Sequence, residues 1–155
     1  MAQLNNSLAY GFVRNIVSNV IIKAFTEKGV KASMVQSTGT FKPIELKVTG
    51  IGKVSCLAGN VQDGALALSM YHMMYAKNIG FIYNNNVYIL NGDILRANWE
   101  NIMSRKPSLY TDGVGTKTSM TYAEVSKLVE LASSVLPLSE TLVKYYAEKQ
   151  KEYFS

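Results

Sequence analysis

One cysteine, one histidine and three prolines leave several classes of protein without their raw material. Cys56 has no internal partner, which excludes a disulfide scaffold and sets the expectation of a reducing cytoplasm. One cysteine and one histidine also exclude a zinc site built from those ligands alone. No apolar run approaches the roughly 18 residues of a membrane-spanning helix. Residues Met1 to Ser7 carry no positive charge and no cleavage pattern follows, so no secretory leader is expected. Low-complexity tracts and internal repeats are absent. What is there is ordinary globular stock. The composition is 48% apolar and 17% charged over 155 residues, enough for one domain with a sizeable core.

Charge is unevenly spread. Residues 1 to 60 hold Arg14, Lys23, Lys28, Lys31, Lys42, Lys47 and Lys53 against Glu27 and Glu45, an excess of five cations. Residues 61 to 155 hold nine of each sign. The whole net charge of +5 therefore lies in the first part of the chain. A polyanion is drawn to such a surface, although a solubility charge explains the same number.

Hydrophobic periodicity gives the order of elements. Leu8, Phe12, Ile16, Val20 and Ala24 recur four apart, and Gly29 closes the stripe, which predicts an amphipathic helix over 7–28. "VKASMVQ" reads as a short strand, "STGT" as a turn and residues 41–49 as a second strand. A third strand is expected near 51–56. Residues 62–77 read as a helix. "IGFIYNNNVYILNG" reads as two strands around an Asn-rich turn. "DILRANWENIMSRK" predicts a helix capped by Asp93. Residues 105–120 read as a loop. Thr121 and Glu124 suggest a capping box for a helix to about Val135, broken by Pro137, and a last charged helix follows. The expected class is α/β, a mixed sheet flanked by helices with C-terminal helices added. It forms one domain over 1–155, with a core at about 7–95 and a helical extension at about 93–155.

The second strand poses the chemical question. In Ile44-Glu45-Leu46-Lys47-Val48, the apolar residues share one face, while the carboxylate and the ammonium share the other. Burying either charge alone costs several kcal/mol. An exposed cross-strand ion pair is one reading. The other is a metal-assisted phosphodiester site, in which a carboxylate holds a divalent cation and a lysine steadies developing charge.

"IELK" on the second strand of a hairpin, after an N-terminal helix, resembles the Glu-x-Lys half-motif of the PD-(D/E)XK, or restriction-endonuclease-like, nucleases. Holliday-junction resolvases are the nearest members. "FVRNIVSNVIIKAFTEKGVKA" resembles their first helix, and "NVQDGALALSMYHMMYAKNIGFIYNNNVYIL" a later helix and strand. "GTKTSMTYAEV" faintly resembles a downstream segment of the bacterial resolvases. The resemblance covers about residues 7–95. It implies a metal-dependent DNA endonuclease acting on branched DNA, with Mg²⁺ or Mn²⁺ on Glu45, Lys47 as the charge stabiliser, and a homodimer to make two cuts.

The family pattern also wants an acid on the first strand and a glutamate in the first helix. This chain carries Ser33 to Ser37 at the first position and Val13 near the second. Gln36 offers a neutral oxygen ligand in their stead, and Gln62 a group to orient phosphate or water, with a plain helix-terminal glutamine as the alternative. Asp63, Asp93 or Glu27 would have to supply a second carboxylate. Without one the site is inactive, which leaves a DNA-binding or accessory protein on the same fold, or a protein-interaction module.

Candidate phosphate contacts are Arg14, Lys31, Lys42, Lys53, Arg105, Lys106 and Lys117. The segment "DGVGTKTS" imitates a phosphate loop but has Thr116 where glycine must precede the lysine. His72 among Met70, Met73 and Met74 reads as a packed histidine. Trp99, Tyr145, Tyr146 and Tyr153 read as core or interface before they read as base-stacking platforms.

Overall fold

A computed structural model describes residues 12–35, 44–57, 65–69, 75–105 and 120–154. The first apolar stripe forms a π-helical turn, Val13–Val17, running straight into helix α1, Ser18–Glu27. Phe12, Val13, Ile16, Val17, Val20, Ile21, Ala24 and Phe25 are all buried, as the spacing requires. Gly29 stops the helix at φ +79°, a conformation that costs glycine least, and the Val30 N–H returns to the Phe25 carbonyl at 2.9 Å.

Strands β1 (Ala32–Met34), β2 (Glu45–Val48) and β3 (Gly52–Cys56) form an antiparallel meander. The chain then crosses over to β5 (Asn78–Tyr83), which lies parallel to β3. Strand β6 (Asn86–Asn91) returns through a tight turn at Asn84 and Asn85, both at positive φ. Strand β9 (Ser134–Pro137) adds to β6, giving a six-stranded mixed sheet in the order β1-β2-β3-β5-β6-β9. A second sheet pairs β4 (Ala65–Ser69) with β8 (Met120–Glu124), and β8 with β7 (Met103–Arg105).

Helices cover both faces, so the architecture is α/β. Alternation along each strand separates two apolar cores. Leu46, Val48, Val54, Cys56, Ile82, Val87 and Ile89 pack under α1 and the last helix, α5 (Glu140–Phe154). Ile79, Phe81, Tyr88 and Leu90 point the other way, onto Leu66 and Leu68 of β4. Completing that second layer are α2 (Gly92–Ala97), α3 (Trp99–Ile102) and α4 (Val125–Leu131).

Several sequence expectations are corrected. Residues 65–69 of the predicted 62–77 helix form a strand, because Leu66 and Leu68 alternate and pair with Ala123 and Thr121 of β8. Alanine and leucine favour helix intrinsically, and tertiary pairing overrides them. Thr121 and Glu124 sit inside β8 rather than in a capping box, and the helix begins only at Val125. Its C-terminal continuation becomes β9, so the extension carries strands as well as helices. Asn91, not Asp93, caps α2: its side chain accepts from the Asp93 and Ile94 N–H groups at 2.8 and 3.4 Å. That helix breaks at Asn98 instead of running on to 106.

Candidate nucleic-acid interface

Leu46 and Val48 anchor β2 into the core under α1, being 0% and 1% exposed. Period-2 geometry then fixes Glu45 and Lys47 on the opposite face, as the sequence predicts. The register adds what the sequence could not state. Glu45 stands opposite Ser55, and Lys47 stands opposite Lys53. Ser33 of β1 faces Lys47 from the other side. The backbone bond from the Thr49 N–H to the Lys31 carbonyl, 3.0 Å, extends the β1–β2 ladder and brings Lys31 onto the same face.

Two environments meet on this face. Ser33, Lys31, Lys47 and Lys53 are exposed, whereas Glu45 is half-buried and Ser55 buried. The Ser55 hydroxyl donates to Glu45 Oε2 at 3.3 Å. Burial, reinforced by the nearby Glu45 charge, pushes the Cys56 thiol up to about 12. Lys31, Lys47 and Lys53 form no ion pair with any described residue. Directly opposed like charges on neighbouring strands repel, a small cost that a bound anion relieves. It provides ammonium and hydroxyl donors, the groups that hold phosphate oxygens.

The metal reading gains no second ligand among the described residues. Glu27 lies at the end of α1, across the sheet from Glu45, and accepts from the Ser139 hydroxyl at 3.2 Å. Asp93 pairs with Arg96 at 2.9 Å within α2. Among the described residues there is no group of three side chains suited to a metal ion. One carboxylate and one hydroxyl do not by themselves fit Mg²⁺, which is octahedral and oxygen-hungry. Gln36, Gln62 and Asp63 lie outside the described residues, as do Lys42, Lys106, Lys117 and His72.

Other candidates are dispersed. Arg14 is exposed on the π-helical turn, on the α1 side of the sheet, and so does not share the Lys47 surface. Arg105 lies on β7 of the second sheet. Trp99 is buried in the second core, and Tyr145, Tyr146 and Tyr153 pack against the first, with Phe12 and Tyr153 edge to face at 5.3 Å. Burial pushes Tyr146 up to about 12. Lys23 sits 4.7 Å over the Tyr145 ring, a cation–π contact between α1 and α5. No helix among the described residues is long and apolar enough to cross a membrane.

Comparison with family models, curated proteins and solved structures finds no match to this chain.

Proposed function

We propose that this protein binds nucleic acid, with DNA as its partner, through the sugar–phosphate backbone on the exposed face of β1–β3. The observation that carries the reading is Lys47 facing Lys53 across two strands, both exposed, with Lys31 on the same face. Phosphates neutralise that local repulsion and release counterions as they bind, which makes the affinity steeply salt-dependent. Glu45 belongs to the boundary of the face, held by Ser55 and set back from solvent.

A second reading is the metal-dependent endonuclease on a restriction-endonuclease-like fold, working as a homodimer. One observation favours it. The Glu-x-Lys segment is the middle strand of an antiparallel meander that follows the first helix, which is where the resemblance requires it. On that reading Gln36, Gln62 or Asp63 completes the donor set around Glu45.

The test is a fluorescence-anisotropy titration of a labelled 20-base-pair duplex over a range of salt, run beside a Mg²⁺ and Mn²⁺ cleavage assay on linear and branched DNA. Binding that weakens in Lys47→Gln and Lys53→Gln, without cleavage, supports the binding protein. Cleavage lost in both Glu45→Ala and Lys47→Ala establishes the nuclease instead. Absence of binding at low salt sinks both and leaves a protein-interaction module.

A further inference from the structure

The parallel crossover brings a lysine from outside the basic half of the sequence to the same place. In the β3–β5 ladder Ser55 pairs with Ile79 and Cys56 with Gly80. Beyond these paired residues the two strands run on side by side, so two residues back the chain carries Lys77 toward Lys53, with the Asn78 side chain bridging the strands in place of a backbone pair. Three bonds hold it there. The Asn78 side chain donates to the Lys53 and Ile51 carbonyls at 2.9 and 3.4 Å, tying the start of β5 to β3. The Gly92 N–H donates to the Lys77 carbonyl at 2.7 Å, continuing the Asn78–Asn91 pairing of β5 with β6 by one residue. Lys77 is exposed, and it is two residues from Ile79, whose side chain belongs to the Lys53 side of the sheet.

Ser33, Lys47, Lys53 and Lys77 therefore form one row across β1, β2, β3 and the entry to β5. Neighbouring strands are about 4.8 Å apart, so the three lysines span about 10 Å at right angles to the strands. One strand of duplex DNA advances about 3.4 Å per phosphate along the helix axis, and its phosphates lie farther apart along the chain itself, so about 10 Å of row faces about two phosphates. The row also passes beside Glu45 rather than through it, since Glu45 and Ser55 occupy the next row along the strands.

We infer that Lys77 is a backbone-binding residue and that the phosphodiester chain crosses the sheet at right angles to the strands, along Lys47, Lys53 and Lys77. This rests on the DNA-binding reading above. The ligand is a run of regularly spaced phosphates, not a single phosphate or a nucleotide.

The experiment measures anisotropy of a labelled 20-base-pair duplex against salt for the wild type, Lys53→Gln, Lys77→Gln, Lys77→Arg and Lys144→Gln. Lys144 is exposed on α5, on the other side of the sheet. Each lost phosphate contact lowers the slope of log affinity against log salt by about 0.9. Lys77→Gln and Lys53→Gln are expected to lose that amount each, Lys77→Arg to keep it, and Lys144→Gln to match the wild type. Pyrophosphate at the same charge concentration is expected to compete poorly. If Lys53→Gln weakens binding and Lys77→Gln does not, the row is refuted while the binding reading stands. If pyrophosphate competes as well as duplex, the extended ligand is refuted. If the wild type binds no duplex, both fall together.

Discussion

Lys47 and Lys53 stand directly opposite each other on β2 and β3, both exposed, with their strands locked in antiparallel register by the flanking Glu45–Ser55 and Val48–Gly52 pairs. Two ammonium groups at this spacing oppose the sheet they belong to, by a few tenths of a kcal/mol in ordinary buffer. Lys53→Gln is therefore expected to raise the thermal midpoint by about a degree while weakening DNA binding. Differential scanning fluorimetry at low and high salt measures the first effect, which should shrink as salt screens the pair. A variant less stable than wild type at low salt would show that the lysines are held by attraction and that the site has been misread.

Glu45 separates the binding protein from the nuclease. Removing its charge beside Lys47 relieves repulsion of phosphate, so Glu45→Gln is expected to strengthen duplex binding about two- to fivefold without added metal. The same substitution abolishes cleavage if Glu45 holds a cation. Weaker binding in Mg²⁺ together with lost cleavage would favour the enzyme.

Cys56 gives the fold a pH signature. Its thiol is pushed from the ordinary 9.0 up to about 12, first by burial and then by the Glu45 charge. The unfolded chain loses this proton near pH 9 while the folded chain keeps it, so stability is intact below pH 9 and falls as pH rises toward 12. Tyr146, raised from 10.0 to about 12 by burial, adds to the loss above pH 10. Cys56→Ala is expected to flatten the fall between pH 9 and 10 in urea melts, at the cost of a small cavity. In native wild type at pH 8 the thiol should resist alkylation, and rapid labelling would contradict its burial.

Gly92 holds the Lys77 segment in place through its shape. A Cβ there would collide with the Ala76 carbonyl oxygen and come within 2.9 Å of the Lys77 carbonyl oxygen, both backbone atoms that cannot swing aside. Gly92→Ala is expected to destabilise the protein by about 3 kcal/mol. Where it still folds, it should weaken duplex binding as Lys77→Gln does, because the clash pushes the backbone at Ala76 and Lys77 away and strains the bond from the residue 92 N–H to the Lys77 carbonyl. Full stability in a chemical melt would contradict the close approach.

Much of the fold is legible in the chain because local rules carry it. The stripe from Phe12 to Phe25 and the Gly29 stop define α1. The alternation of Leu46 and Val48 with Glu45 and Lys47 defines β2. Asn84 and Asn85 define the β5–β6 turn. Each of these answers to neighbours within a few residues. The Ala65–Ser69 segment was not legible, since its helix-favouring alanines and leucines are extended only by pairing with Met120–Glu124, more than fifty residues away. Thr121 and Glu124 likewise look like a cap until β4 claims them for a ladder.

The sequence by itself determined that Glu45 and Lys47 share a face, because a strand repeats every two residues, and that the first part of the chain holds the excess positive charge. Only the tertiary structure decided which cations meet there. Register opposed Lys53 to Lys47, the crossover laid β5, which Lys77 precedes, alongside β3, and the helix layer carried Arg14 and Glu27 to the other side of the sheet. Pairing between distant strands follows from hydrogen-bond ladders and two-sided burial, and neither is written in the spacing of any one segment.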